Sequence, residues 1–307
     1  PTPFPYPTLF RSSDRVMVAF GYHGDAFHGS QVQPGIRTVE GSLRLALERL
    51  GWWSESCLEI SSRTDAGVSV RMNLARIDLP SSVSGSIEEG NLLRAMNNNL
   101  PIGMVVWKAR EIPQVTRIRH SSSRHYLYRT EVISDWPQEV DEKLLNEACS
   151  LIEGHHDFTN LCKLEEGKNP VRTVDECAPW MSSNGRVIGI SVKSQAFLWN
   201  QVRRIASAVS GVVSGRNTLD DIRSALENPE VPLDLGRSPS DGLMLWAIEN
   251  EESDGMTDGS MPDTSWFSTP PRDSREHTRW LALARLEMAT LDRKSTRLNS
   301  SHALTSY

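Results

Sequence analysis

A chain of 307 residues with 38% hydrophobic content can bury a substantial core, in two domains or two halves, and is neither disordered nor fibrous. No apolar run approaches the roughly 20 residues of a membrane span, and no basic region leading into an apolar signal core opens the chain, so a cytoplasmic protein without membrane contact is expected. The net charge of -6 weighs against nucleic acid, whose phosphates need positive potential, yet ten Lys or Arg stand against five Asp or Glu between Arg63 and Arg129, a local balance of +5.

In chain order, residues 15 to 22 form an apolar, β-prone run that predicts the first strand, followed by a Gly-rich polar loop from His23 to Arg37. Val39, Leu43, Ala46, Leu47 and Leu50 make the apolar stripe of an amphipathic helix with Thr38 as its N-cap. Strands are predicted at 57 to 62 and 70 to 79, and Ser86-Ile87-Glu88-Glu89 reads as a capping box opening a helix that reaches about Asn97. Residues 103 to 111 and 123 to 132 read as further strands. A helix is expected at 141 to 152, a type I′ hairpin at Ser183-Asn184-Gly185-Arg186, a largely apolar helix at 198 to 214, a shorter helix after Thr218, and a last strand from Leu243 to Ile248. This alternation predicts an α+β fold with mainly antiparallel sheet.

The organisation expected is an N-terminal half at 14–133, a C-terminal half at 134–250, an acidic Ser, Gly and Pro-rich linker at 251–277, and a helix at 278–292. The segments 1–13 and 293–307 read as non-native and are excluded from functional reasoning. Cys57, Cys149, Cys162 and Cys177 show no Cys-x-x-Cys pair and read as reduced, packed thiols. His155-His156-Asp157 lacks the i, i+4 spacing of a helical metal pair, so no metal is expected there.

The stretch with chemical character is Ser61-Ser62-Arg63-Thr64-Asp65-Ala66-Gly67-Val68, which sets a carboxylate and a guanidinium two residues apart in a Gly-bearing turn. Arg63 would favour the ionised form of Asp65, Thr64 can fix the turn by a local hydrogen bond, and Gly67 permits positive φ. An ionised Asp in a cleft can act as nucleophile or base. Taken alone, the same residues also fit a structural turn with a surface ion pair.

Two later blocks, Ser123-Arg124-His125-Tyr126-Leu127-Tyr128 and Phe197-Leu198-Trp199-Asn200-Gln201-Val202-Arg203-Arg204-Ile205, follow this run in order and spacing. Together the three resemble the signature blocks of the TruA-type tRNA pseudouridine synthases. The likeness extends to Phe20-Gly21-Tyr22-His23-Gly24, His28-Gly29-Ser30-Gln31-Val32-Gln33, His156-Asp157-Phe158-Thr159 and Asp241-Gly242-Leu243-Met244-Leu245, covering roughly residues 14 to 250. Bacterial relatives usually carry Trp at the place of Ser30, His at that of Ser69, and two His at those of Trp199 and Asn200, so the Gly-Ser-Gln form is closer to archaeal members. A family Arg expected eight residues before Tyr126 falls on Ile118, between Arg117 and Arg119.

The resemblance implies two similar α/β halves joined across a cleft, a homodimer, and cofactor-free isomerisation of uridine to pseudouridine in the tRNA anticodon stem-loop, at positions thirty-eight to forty. It implies Asp65 as the catalytic carboxylate, attacking either uracil C6 or ribose C1′, and Tyr126 stacked on the target uracil, although a cross-strand ladder with Tyr128 fits the same spacing. Arg203 would be paired with Asp65, since a charge within so apolar a helix is costly alone, while Arg204 fits the solvent side. Arg63 would extrude or replace the flipped base, Leu243 would line the pocket, and Gln31, Arg117, Arg119 and Arg124 would contact phosphates. Two rival readings are a non-catalytic RNA-binding module or tRNA chaperone, and a carboxylate-based hydrolase, which generally needs a second catalytic carboxylate.

Overall fold

The computed structural model describes residues 15–83, 87–256, 260–271 and 273–304, with 274 and 292–304 as backbone alone. The chain divides into two compact units. One holds the described residues up to Ser121 together with 248–256 and 292–304; the other holds Ser122–Ala247 and 260–291. The architecture is mixed α/β with mostly antiparallel strands.

In the first unit β1 (Arg15–Tyr22) runs between β3 (Ser69–Asp78) and β4 (Met104–Glu111), antiparallel to both, and the short β2 (Leu58–Ile60) pairs with β3. Every residue of β1 after Arg15 is buried, because its Val, Met, Ala and Phe side chains leave neither face for water. Helix α1 (Val39–Arg49) buries the expected stripe of Val39, Leu43, Ala46 and Leu47, and the Thr38 hydroxyl caps it by accepting from the Gly41 N–H at 3.3 Å. Helix α2 (Glu89–Asn99) starts after an N-cap Glu88 whose side chain makes no capping bond; Ser86 of the expected capping box lies outside the described residues. Side chains fasten α2 to β4 instead. Asn97 exchanges two hydrogen bonds with the backbone of Val106, at 2.7 and 2.9 Å, and Glu89 accepts from the Ala109 N–H at 2.9 Å.

The second unit begins with β5 (Ser123–Tyr128) and α3 (Glu142–Ile152), capped by Asp141 on the Leu144 N–H. A two-stranded ribbon of β6 (Gly154–Asp157) and β7 (Val171–Val174) follows. Then come β8 (Glu176–Met181), β9 (Val187–Ser194), α4 (Gln201–Val213), α5 (Leu219–Glu227), β10 (Leu243–Glu249) and α6 (Ser274–Leu304). Its sheet runs in the order β10, β5, β9, β8. Helix α5 carries a complete capping box between Thr218 and Asp221. The four cysteines are free and buried. Burial raises the Cys162 thiol to about 11. The ring nitrogens of His155 and His156 engage the Thr173 hydroxyl at 3.0 Å and the Glu153 carbonyl at 2.7 Å.

Three expectations shift. The hairpin between β8 and β9 is not type I′, because only Gly185, at φ +81°, leaves the negative-φ region while Asn184 does not. It is a three-residue loop closed by the Ser182 N–H on the Arg186 carbonyl at 2.7 Å, with a turn bond from the Gly185 N–H to the Ser182 carbonyl at 2.9 Å. Helix α4 starts at Gln201 rather than 198, since Asn200 adopts a left-handed conformation at φ 62° and the Trp199 carbonyl is taken by the Lys163 N–H at 2.7 Å. The strand expected to run to 132 ends at Tyr128, and Thr130–Val132 form a 3-10 turn.

That turn serves a buried charge cluster. Arg129, fully buried, meets Glu131 at 2.9 Å and Glu287 of α6 at 2.7 Å, and donates to the carbonyls of Ser268 and Ala284 at 3.2 and 3.3 Å. The Phe267 and Trp280 rings lie beneath its guanidinium at 4.2 and 5.2 Å, and Arg186 meets the second Glu131 oxygen at 3.2 Å. Burial pushes the Glu131 carboxyl upward against the pull of Arg129 and Arg186. Phe267 and Ser268 come from the segment expected to be an acidic linker. Trp246, in the same apolar cluster as Leu127 and Met288, donates from its indole to the Ser260 carbonyl at 3.0 Å.

Removing the cation while leaving both carboxylates buried costs about 3–5 kcal/mol, whereas apolar replacement of the whole group is tolerated. Arg129→Leu is therefore expected to lose roughly that much stability in urea unfolding, and the triple variant Arg129→Met, Glu131→Leu, Glu287→Leu to recover most of it. Equal losses in the two variants would contradict this description of the cluster.

Candidate active site

The loop from Ser61 to Val68 joins the antiparallel neighbours β2 and β3, and Asp65 sits half-buried within it. Where β2 stops, the side chain of Asn73, fully buried in β3, continues its ladder. The Asn73 amide oxygen accepts from the Ser62 N–H at 3.1 Å and its amide nitrogen donates to the Ser62 carbonyl at 2.7 Å.

The next anchor is Thr64. Its N–H donates to Ser30 Oγ at 2.7 Å, its carbonyl accepts from the Ser30 N–H at 3.1 Å, and its hydroxyl lies 2.7 Å from Tyr22 OH and 3.0 Å from Ser30 Oγ. Ser30 and Tyr22 are each 2% exposed, so these bonds form where water does not compete. Thr64 thus fixes the loop through residues 34 and 42 positions away rather than by the local bond its sequence suggests. Two glycines allow the approach. A Cβ on Gly29, at φ +87°, would stand 3.3 Å from the Thr64 carbonyl, and one on Gly24 would stand 2.4 Å from the carbonyl of Gly67, itself at φ +82°. The Gly24 N–H also donates to Ser69 Oγ at 3.1 Å.

Within this frame the Asp65 carbonyl accepts the Val68 N–H at 3.3 Å. Arg63 is exposed and makes no ion pair among the described residues. Gln31, adjacent to Ser30, is exposed. Arg117 and Arg119 are both exposed and flank a fully buried Ile118, which places a core side chain at the position where the resemblance expected a cation.

The second unit holds Tyr126, Arg124, Arg203 and Leu243. On β5, Tyr126 and Tyr128 share one face; Tyr126 is 6% exposed, stands opposite Val192, and meets the Phe197 ring edge-on at 5.2 Å. Tyr128 is fully buried and donates to the Pro239 carbonyl at 3.0 Å; burial raises its hydroxyl pKa, with a Ser238 bond opposing. Arg124 is 8% exposed, donates to the Gln195 carbonyl, and is lowered by desolvation. Arg203 is half-buried; its Nε donates to the Ser238 carbonyl at 2.8 Å and its Nη1 to Asn200 Oδ1 at 3.2 Å. Arg204 is likewise half-buried and pairs with the exposed Asp234 at 2.9 Å. Leu243, at the start of β10, is buried.

Sequence reading missed Ser30, Tyr22 and Asn73. An Asn between Met72 and Leu74 in a predicted strand is the signal that could have found the last, because a buried amide needs partners. Replacing Ser30 with Ala removes the acceptor of the Thr64 N–H and leaves that donor buried, a cost of about 1–3 kcal/mol. We expect Ser30→Ala to lose that much stability in chemical denaturation and to speed hydrogen exchange of the Thr64 amide; an unchanged exchange rate would show that other contacts hold the loop.

Comparison with known proteins places this geometry in a family. A family model described as tRNA pseudouridine synthase matches residues 148–249, which span β6 through β10. The tRNA pseudouridine synthase A of Methanosarcina barkeri (strain Fusaro / DSM 804) is 34% identical over 245 residues, covering 78% of this chain and 85% of the relative. That of Methanosarcina acetivorans is 33% identical over 246 residues, covering 78% and 86%. That of Pyrococcus furiosus is 29% identical over 253 residues, covering 80% and 87%. Likeness at this level across most of both chains, on the fold described above, shows that the chain belongs to the TruA-type tRNA pseudouridine synthases, a family of isomerases.

Proposed function

We propose that this protein converts uridine to pseudouridine in the anticodon stem-loop of tRNA, at positions thirty-eight to forty, with Asp65 as nucleophile and no cofactor. The reaction is redox-neutral. The N1 to C1′ bond breaks, the detached uracil turns, C5 bonds to C1′, C5 gives up its proton and N1 gains one. A carboxylate supporting an oxocarbenium-like sugar has precedent in glycoside hydrolysis, where water ends the reaction instead.

The observation that carries the assignment of Asp65 is the bracing of its loop. A surface turn needs no such support, whereas a reacting group has to be held close to its productive geometry. Tyr126, seated edge-on against Phe197, and Arg203, braced by Ser238 and Asn200, take the stacking and charge-pairing roles that family membership gives them. Everting a base costs a few kcal/mol that stacking and a replacing side chain offset; Arg63, exposed beside Asp65, takes the second part. Leu243 serves as apolar wall, with Gln31, Arg117, Arg119 and Arg124 as phosphate contacts. Family membership also supports a homodimer acting in the cytoplasm. No described helix is long and apolar enough to cross a membrane.

The test is to incubate the purified chain with an unmodified tRNA transcript carrying uridines at the three positions and to map pseudouridine chemically at nucleotide resolution. Pseudouridine confined to those positions is the expected result. Modification elsewhere would overturn the site, free uracil would mark a hydrolase, and tight binding without product would leave a chaperone.

A further inference from the structure

We propose that Arg285 of α6 is a positioning residue for the isomerisation: its ion pair with Asp241 holds the segment 238–243, which braces Arg203 and presents Leu243. The proposal rests on the reading that Arg203 and Leu243 serve the reacting uridine, and adds a residue that acts on both through Asp241. Helix α6 lies beyond residue 249, where the match to the family model ends, so family membership assigns it no role.

Segment 238–243 carries two parts of the site on one short piece of backbone. At its start the Ser238 carbonyl accepts from Arg203 Nε at 2.8 Å, and the Ser238 N–H donates to the Arg203 carbonyl at 3.1 Å. At its end Leu243 opens β10, with its N–H on the Ser240 carbonyl at 3.0 Å. Between them Tyr128 donates to the Pro239 carbonyl at 3.0 Å and the Arg129 N–H to the Gly242 carbonyl at 2.9 Å. Gly242 has no room to move toward the sheet, since an added Cβ would stand 2.8 Å from Val132 Cγ2 and 2.9 Å from Tyr128 Cζ.

Asp241 is the charged member of this segment. One of its oxygens pairs with Arg285, and the other is buried without a hydrogen-bond partner. No other ion pair reaches Asp241 among the described residues. A carboxylate so placed is stable while a cation offsets its charge; without one it turns to water or takes up a proton. Gly242 and Leu243, its chain neighbours, shift with it. The Tyr128 hydroxyl registers how closely the charges gather: burial raises its pKa most, the Ser238 bond lowers it, Asp241 raises it, and Arg203 and Arg285 lower it.

The pair is not what seats α6. Trp280, Ala284, Met288 and Leu291 form its buried stripe, and Glu287 binds Arg129 at 2.7 Å and the Ser268 N–H at 2.8 Å. Arg285 lies off that stripe with 52% of its side chain exposed, against 27% for Asp241. Ion pairs this open contribute little to stability. Losing this one therefore leaves the fold in place and changes where Asp241 rests.

The experiment compares single-turnover pseudouridine formation at saturating protein with tRNA binding, for the whole chain and for Arg285→Ala, Arg285→Lys, Asp241→Asn and the double variant Arg285→Ala/Asp241→Asn. We expect Arg285→Ala to slow the saturated rate about tenfold, within the roughly hundredfold that a 1 Å misplacement can cost, at unchanged tRNA affinity, salt dependence and urea midpoint. Arg285→Lys keeps the charge and should restore most of the rate. In the Asp241→Asn background Arg285→Ala should cost nothing further, because the charge it answers is gone. Hydrogen exchange of the Ser238 and Leu243 amides should quicken about tenfold in Arg285→Ala while the amides of α5 stay unchanged. An unchanged rate, or losses that multiply in the double variant, would overturn the proposal. So would weaker tRNA binding at an unchanged saturated rate, which would mark Arg285 as a direct phosphate contact. Exchange needs no turnover: an unaltered chain that forms no pseudouridine sinks the proposed reaction, whereas unchanged exchange in Arg285→Ala sinks the brace.

Discussion

The Asp65 loop depends on the backbone of Thr64 being held by a buried hydroxyl pair. Ser30 accepts the Thr64 N–H at 2.7 Å and Tyr22 meets its hydroxyl at the same distance, both in surroundings closed to water. Each such bond contributes only about 1 kcal/mol net, but leaving one of these groups unpartnered would cost more. That asymmetry explains the rest of the loop: glycines at 24 and 29 where a Cβ would block the approach, and an asparagine in β3 that keeps Ser62 paired after β2 has ended. A carboxylate on such a frame is preorganised rather than merely exposed.

In the second unit the buried Arg129 cluster does comparable service. It follows directly on the end of β5 at Tyr128, ties α6 to the end of that strand through Glu287, and lets the Arg129 N–H close on the Gly242 carbonyl at 2.9 Å just before Leu243. Tyr126 and Leu243 thereby stand on strands whose ends are fastened by charge and hydrogen bonds, with Leu127 packed among Trp180, Ile188 and Trp246 on the opposite face. Buried ion pairs are weak sources of stability. Their effect here is on where the strands end.

What could be read in advance was whatever repeats within a few residues. The stripe of α1 and its Thr38 cap, the positive φ of Gly67 and the place of the β8 to β9 hairpin all follow from local spacing. Long-range partners could not be read. Ser30 with Thr64 and Arg129 with Glu287 join residues 34 and 158 apart, and no local periodicity encodes either pair. The ends of elements failed for the same reason: α4 starts late because Lys163, far away in sequence, takes the Trp199 carbonyl, and the hairpin has a three-residue loop because Asn184 stays at negative φ. The resemblance of three ordered blocks named the carboxylate, and the structure supplied what holds it.

The most direct measurement uses tRNA labelled with tritium at uridine C5, the position that must lose its hydrogen when the new bond forms. Under single-turnover conditions the account requires the intact protein to release that label. Asp65→Asn, which keeps the shape of the side chain and the clamp on Thr64, should bind the same tRNA with similar affinity and release none above background. Release by the Asn variant at the rate of the unaltered protein would show that the reacting carboxylate lies elsewhere.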